Sequence, residues 1–446
     1  KLTLDKNGGT WYSEMPSTTI DTPEGQNPIF KIPYTNIKKD GYAFYGWATS
    51  PDATEAEYDV DDLYEAPYDP TLNYVLYAVW KEAYTINFDI NGGDEGVMTN
   101  LKIKDLGVGG TRTLIVPNYS RTGYGFAGWN TKADGTGTTY GPNQIITMDS
   151  SFISLADNSR NITLYAKWIL SAGNLQEWTG CSNLSINGVT ALTDSRDGQT
   201  YAVAKLADGN CWIIENLRVG HYTSDGVSTL TMDASNTQGV GTGFIGLAEP
   251  ETNYFYSNST NANSLYDTTI ITGSNQGYRF PRYNDRNTNH RSSNPTEAES
   301  TLYSFLYGYG NYYTWAAAIA DFSDYSSETI VNTSICPKGW QLPYGGNGNS
   351  TYGGNTKGGF YYLGGQLQAT ASNQNSAKIW RQYPNNFIIA GYVTGSYIYK
   401  GTGYYWTASS SSAQNARYLS LGTSSINFTN GISKNIGISI RCLIQN

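Results

Sequence analysis

The stretch Gly41-Tyr42-Ala43-Phe44-Tyr45-Gly46-Trp47 returns 82 residues later as Gly123-Tyr124-Gly125-Phe126-Ala127-Gly128-Trp129. Two more anchors flank it in the same order. Asn7-Gly8-Gly9 returns as Asn91-Gly92-Gly93 at an offset of 84, and Leu76-Tyr77-Ala78-Val79-Trp80 returns as Leu164-Tyr165-Ala166-Lys167-Trp168 at an offset of 88. The offsets drift because connecting loops change length at little entropic cost. Ordered self-similarity of this kind marks two copies of one small unit.

Each anchor has a physical task. Asn-Gly-Gly supplies positive φ for a tight hairpin turn after strands expected over residues 2–6 and 85–90. In the closing strand the period of two puts Leu76, Ala78 and Trp80 on one face, with Leu164, Ala166 and Trp168 matching them. The replacement of Val79 by Lys167 predicts that the other face is partly wet. The glycine before each Trp allows a bend that re-aims the indole. In so small a unit these aromatics read as core.

The 446 residues are too many for one core, and the 38 Tyr, 11 Trp and 49 Gly among them describe a β-rich chain with long polar loops rather than a disordered one. Residues 1–83 hold 14 acidic and 6 basic side chains, whereas the remainder is nearly neutral, with 23 against 22. Without clustered Lys and Arg to neutralise phosphates, nucleic acid is excluded as a partner. No apolar run reaches the roughly 18 residues a membrane span needs, so no membrane insertion is expected in this fragment. The chain opens directly on the strand-like KLTLDKNGG, which reads as a mature or trimmed piece.

All four cysteines, Cys181, Cys211, Cys336 and Cys442, lie beyond the second copy, and none forms a CxxC pair. With only His221 and His290 to help them, no metal site and no cofactor are expected. An even, widely spaced set fits two disulfides and an oxidising, extracellular setting. Three connectivities are open. Cys181–Cys211 with Cys336–Cys442 is favoured, because each bridge then closes one end of the same domain.

The NGG, GYxFxGW and LYAxW anchors together resemble the Listeria–Bacteroides repeat, the internalin B-repeat family, over about residues 1–80 and 84–168. The resemblance implies small β-grasp-like modules used as stalks or spacers in bacterial surface proteins. Residues 169–174 read as a linker, giving domains at 1–82, 83–168 and 175–446.

The last domain has a different grammar. DSRDGQTY (194–201), GNCWIIENL (209–217), YYTWAAA (312–318), CPKGWQLP (336–343), YYWTASS (404–410) and the final IRC (440–442) resemble the Fibrobacter succinogenes major paralogous domain. That resemblance implies an α+β fold of the C-type-lectin-like and formylglycine-generating-enzyme-like kind. A helix is expected within residues 303–321 and another near 376–382, with a Gly-rich loop to about 365. Closing strands are expected near 404–407, 416–421, 425–428 and 437–442, the last with Ile438, Ile440 and Cys442 inward and Ser439 and Arg441 outward. Asn430-Gly431 reads as the turn before it.

Catalysis is not expected. The enzyme branch of that fold uses copper-binding cysteines, and here all four are assigned to bridges. Both histidines sit in polar stretches as solvated side chains, and Asp194 and Asp197 read as turn formers. The EPN, QPD and WND tripeptides of calcium-dependent lectins are missing, and Glu249-Pro250-Glu251 is only superficially close. Tyr397, Tyr399, Tyr404, Tyr405, Asn415, Arg417, Tyr418 and Asn427 form the candidate ligand-binding set, because Tyr on a Ser, Gly and Asn background gives contact area at low entropic cost. The same region resembles the variable proteins of diversity-generating retroelements. The expected function is a bacterial cell-surface adhesin whose head binds a protein or glycan on another cell surface. A structural subunit of an extracellular filament or coat, with self-association through the repeats, is the alternative, and an enzyme acting on surface polymers ranks third.

Overall fold

The computed structural model describes residues 2–11, 27–33, 37–69, 73–94, 102–117, 120–219, 230–242, 244, 279–280, 310–323, 325–346, 355–394, 397–399, 401–428 and 431–446, with the backbone alone at 102–105, 279–280, 393–394 and 397–399. The chain is β-rich with a few short helices. Contacts divide it into two units, Lys1–Asp89 with Asn100–Arg112 and Ile146–Leu164, and Ile90–Thr99 with Thr113–Ile145 and Tyr165–Asn446.

In the first unit, strand Leu2–Asp5 runs parallel to Tyr74–Asp89, and Tyr42–Ala48 runs antiparallel to the same long strand. Alternation turns Leu2, Leu4, Leu76 and Ala78 into one core with Trp47. Each such large apolar side chain contributes about 1.5–3 kcal/mol on burial. The register slips between Phe44 and Gly46, and a Cβ on Gly46 would lie 2.6 Å from the Tyr58 carbonyl oxygen. This bulge turns the Trp47 indole inward. Val79 is buried, but Tyr77 on the same face is only half-buried, as are Tyr165 and Lys167 in the second copy, so the face is partly wet.

Asn7 and Gly8 have φ of 45° and 82°, and the Gly9 N–H closes the turn on the Lys6 carbonyl at 2.9 Å. The expected hairpin does not follow. The next strand, Thr10–Trp11, pairs with Ile37–Lys38 instead. What the turn does is tie down the closing strand. The Asn7 amide donates to the carbonyls of Pro51 (2.8 Å) and Ala78 (3.0 Å), and the Trp80 indole donates to Lys6 (2.9 Å).

The second unit repeats the device. The Asn91 amide donates to Ala133 (2.7 Å) and Ala166 (2.9 Å), and the Trp168 indole donates to Ile90 (2.9 Å). Phe126 meets Trp129 and Trp168 edge-on, as Phe44 meets Trp47 and Trp80. Residues 169–174, read as a linker, are the end of strand Asn161–Asn174. Ile169 and Leu170 pair with Gly125 and Tyr124, and Ser171 and Asn174 pair with Ala191 and Thr193.

Strands Val189–Thr193, Thr200–Lys205, Cys211–Ile213 and Leu443–Ile444 then lie side by side, with antiparallel neighbours. They carry a core on each face. Tyr201, Val203, Cys211 and Ile213 enter one with helix Trp315–Ile319, while Ala202, Ala204 and Trp212 enter the other with Phe360, Leu363 and Trp380 from helices Phe360–Gln366 and Gln374–Arg381. The helix expected within 303–321 is therefore short, starting at its Thr314 cap, and 303–309 lies outside the described residues. The Gly-rich loop ends in a helix the sequence did not suggest, because Gly364 and Gly365 are poor helix formers.

Both disulfides have the favoured connectivity, Cys181–Cys211 and Cys336–Cys442. Residues 437–442 make isolated bridges rather than a strand, and the alternation expected there is corrected. Ile438, Ile440 and Cys442 are in the core, but Ser439 and Arg441 are buried too. The Arg441 guanidinium donates to Asn216 Oδ1 (2.7 Å) and to the carbonyls of Asn386 (2.7 Å) and Ile213 (3.3 Å), and stacks on Phe387. Burial pulls its pKa below the usual arginine value, opposed by Tyr405 and Glu215.

Candidate binding surface

The closing hairpin is built by Thr402–Ser410 and Asn415–Gly422, with Tyr404 opposite Ser420, Tyr405 opposite Leu419 and Trp406 opposite Tyr418. Residues facing each other across an antiparallel pair share a side of the sheet. Tyr404, Tyr418 and Ser420 therefore share one side, and the pairing of Ser420 with Asn427 brings Asn427 to it. Asn415, Arg417, Tyr405 and Leu419 take the opposite side.

On the first side the Tyr404 ring lies 5.3 Å from Tyr418 and 4.9 Å from Tyr392, centroid to centroid. Tyr392, Tyr404, Ser420 and Asn427 are half-buried, and Tyr418 is 8% exposed. The Tyr404 phenol is pushed up by burial and by the neighbouring Tyr418, so it stays neutral and keeps its O–H. Phenol rings, a hydroxyl and an amide side by side offer stacking and neutral hydrogen bonds.

On the other side Tyr405 is corrected from surface to core. It is fully buried, its O–H donates to the Ile388 carbonyl (2.7 Å), its oxygen accepts the Ile388 N–H (2.8 Å), and its ring packs 5.1 Å from Phe387. Arg417 pairs with Glu328 at 2.7 Å, and its carbonyl accepts from Thr407. Asn415 opens its strand opposite Ser433. Tyr397 and Tyr399 form a strand paired with Tyr392–Thr394, but their side chains lie outside the described residues, as do His221, His290, Asn430 and Glu249-Pro250-Glu251. The predicted set thus divides, and Tyr392 joins it; its signal was a Tyr preceding Tyr397 and Tyr399 in the same aromatic run.

Behind the hairpin the domain is locked by polar groups. Asp197 accepts the Gln199 N–H as a turn former, and Asp194 accepts that of Arg196. Asp194 also makes an ion pair with Arg196 (2.6 Å) in which both side chains are inaccessible. Arg196 continues to the Ile335 carbonyl (2.6 Å), next to the Cys336 bridge, and Gln176 donates to Asp194 (2.7 Å). Burial opposes the charge on Arg196, but Asp194 outweighs it and the guanidinium pKa is raised. Asp208 is pushed up by burial, against bonds from Asn210 and Trp212. Among the described residues no group of three His, Cys, Asp or Glu is placed to hold a metal, and no helix is long and apolar enough to cross a membrane.

Residues 1–79 and 84–167 match the Listeria–Bacteroides repeat domain, the two copies read from the anchors. Over 164 residues the chain is 31% identical to a "Putative Gly-rich membrane protein" of Evansella cellulosilytica, a match covering 34% of this chain and 17% of that protein. Over 182 residues it is 29% identical to a "Putative membrane protein" of the same organism, covering 40% of this chain and 23% of the relative. The chain thus spans about a fifth of the length of these relatives. No solved structure matches it.

Proposed function

We propose that this chain is the outer part of a bacterial cell-surface adhesin, with the repeats as stalk and the C-terminal domain as a head that binds a protein or glycan. The observation that carries the reading is the face on which half-buried Tyr392 and Tyr404 pack against the buried Tyr418 and lie beside the neutral polar groups of Ser420 and Asn427. Aromatic rings stack on the apolar faces of sugars or seat protein side chains, while hydroxyl and amide groups supply direction. Two disulfides suit an extracellular site, and the relatives' names put them at a membrane. The proposal includes β-grasp-like repeats and a C-type-lectin-like fold for residues 175–446, supported by the terminal strand Leu443–Ile444 pairing back onto Cys211–Ile213. The reading also holds that the chain does no catalysis.

The test is a panel of glycans and extracellular-matrix proteins probed with the purified 446-residue chain, oxidised and reduced. Retention of a defined ligand by the oxidised chain, lost on reduction, supports a disulfide-braced head. A panel on which the oxidised chain retains nothing counts against the adhesin.

A further inference from the structure

Two backbone bonds recur at matching positions of the two repeats around the loop after their shared Tyr. The Ile32 N–H donates to the Asp62 carbonyl, as that of Leu114 donates to Gln144, and the Asp62 N–H donates to Asp59, as that of Gln144 donates to Gly141. Position by position, Ala43, Asp59 and Asp61 thus correspond to Gly125, Gly141 and Asn143, all at an offset of 82.

In the second repeat these positions meet the C-terminal domain. The buried Arg381 guanidinium donates to the Asn143 carbonyl at 2.7 Å, the Asn386 amide donates to the Ala127 carbonyl at 2.9 Å, and the Ile389 N–H donates to Asn143 Oδ1 at 3.1 Å. The approach tolerates no side chain at either glycine. A Cβ on Gly125 would stand 2.3 Å from the Ala202 nitrogen, and one on Gly141 would stand 2.6 Å from the Arg381 carbonyl oxygen and 2.7 Å from Asn386 Oδ1. The first repeat carries Ala and Asp at those two places. Backbone on both sides would have to move to admit them, the overpacking that cores resist.

We infer that the second repeat is a dedicated docking module, with Gly125 and Gly141 forming the seat for residues 381–389 and Ala202, and that the first repeat cannot substitute for it. The repeats are then not interchangeable spacers, and the functional head begins inside the second repeat rather than after it. Nothing in this seat depends on what the hairpin face binds.

Hydrogen–deuterium exchange on the full chain tests it. Gly141→Asp and Gly125→Ala transplant the first repeat's side chains; the first should speed exchange at residues 381–389, and the second at residues 200–205 around Ala202, each by about tenfold or more. Asp59→Gly, the reverse change in the first repeat, should leave 381–389 unaltered. Asn386→Ala removes one bond without adding bulk, so it keeps the test open should either glycine variant fail to fold, and it should speed exchange at 141–144 as well as around 386. Protection unchanged at 381–389 in folded Gly141→Asp or at 200–205 in folded Gly125→Ala, an equal response to Asp59→Gly, or a purely local response to Asn386→Ala would each overturn the assignment.

Discussion

The rings of Tyr404 and Tyr418 lie 5.3 Å apart on one side of the closing hairpin, while Tyr405, the next residue along, points to the other side and is sealed in a core. Neighbouring tyrosines in one strand thus have different tasks. Tyr405→Phe leaves both the N–H and the carbonyl of Ile388 without their partner and should cost about 1–3 kcal/mol. Tyr404→Phe, on a half-exposed ring, should stay within about 0.5 kcal/mol. Urea unfolding of the two variants measures the contrast, and equal losses would contradict the placement.

The buried pair of Asp194 and Arg196 gives a second expectation. Asp194→Asn leaves a guanidinium buried without its counter-charge and should cost about 3–5 kcal/mol. Replacing both residues, Asp194→Leu with Arg196→Met, should cost distinctly less than the single change. Thermal unfolding of the three variants decides it. A double variant at least as damaged as the single one would show that the pair is not what makes the single change severe.

At alkaline pH, Tyr325 should be the informative group. Its phenol donates to Asp321 Oδ2 at 2.7 Å, and burial, then that bond, push its pKa up to about 12. Because the folded value lies above the unfolded value of 10.0, the contribution is complete below pH 10 and is lost as pH rises through about 12. Asp321 runs the opposite way. Burial works to raise it, the bonds from Tyr325 and Ser323 overcome that and lower it, and its contribution holds above 3.8 and fades as pH falls through the lowered value. Tyr64, Tyr201, Tyr383, Tyr404 and Tyr405 are raised by burial as well, so NMR titration of ring-labelled tyrosine should find several resonances that fail to shift near pH 10, one of which is absent from Tyr325→Phe.

Reduction should act on one part of the chain. Bridges closing separations of 30 and 106 residues remove denatured-state entropy worth about 3.6 and about 4.8 kcal/mol in the chain-entropy model. Exchange protection in strands Leu2–Asp5 and Tyr42–Ala48, which hold no cysteine, should survive a reductant that exposes Thr200–Lys205. Loss of protection in all three together would contradict it.

The repeats were readable because their signals are local. A turn with positive φ at Asn7 and Asn91, a bulge before each Trp and an alternating closing strand all lie within a few residues of one another. One equally local signal was passed over. Lys39 and Arg121, each two residues before the glycine of GYxFxGW, sit on the rings of Tyr42 (4.6 Å) and Tyr124 (3.9 Å). The hairpin was harder to read, because outward and inward positions separate by a period of two only when one face is wet. With Trp406 and Ala408 in one core and Tyr405 and Leu419 in the other, polarity no longer reports direction, and Ser439 and Arg441 were misassigned for the same reason. The Asp194 and Arg196 turn was visible, but its burial depends on Ile335, 139 residues from Arg196.

Surface plasmon resonance with the immobilised 446-residue chain, against whichever ligand the panel yields, tests the binding face most directly when the Tyr404→Ala and Asn427→Ala double variant is run beside it. The adhesin reading predicts a variant that still unfolds cooperatively, at a somewhat lower temperature because the Tyr404 ring packs on Tyr392 and Tyr418, with affinity lowered about tenfold or more, the signature of an aromatic anchor lost from a contact surface. A double variant that folds and binds like the native chain would contradict it.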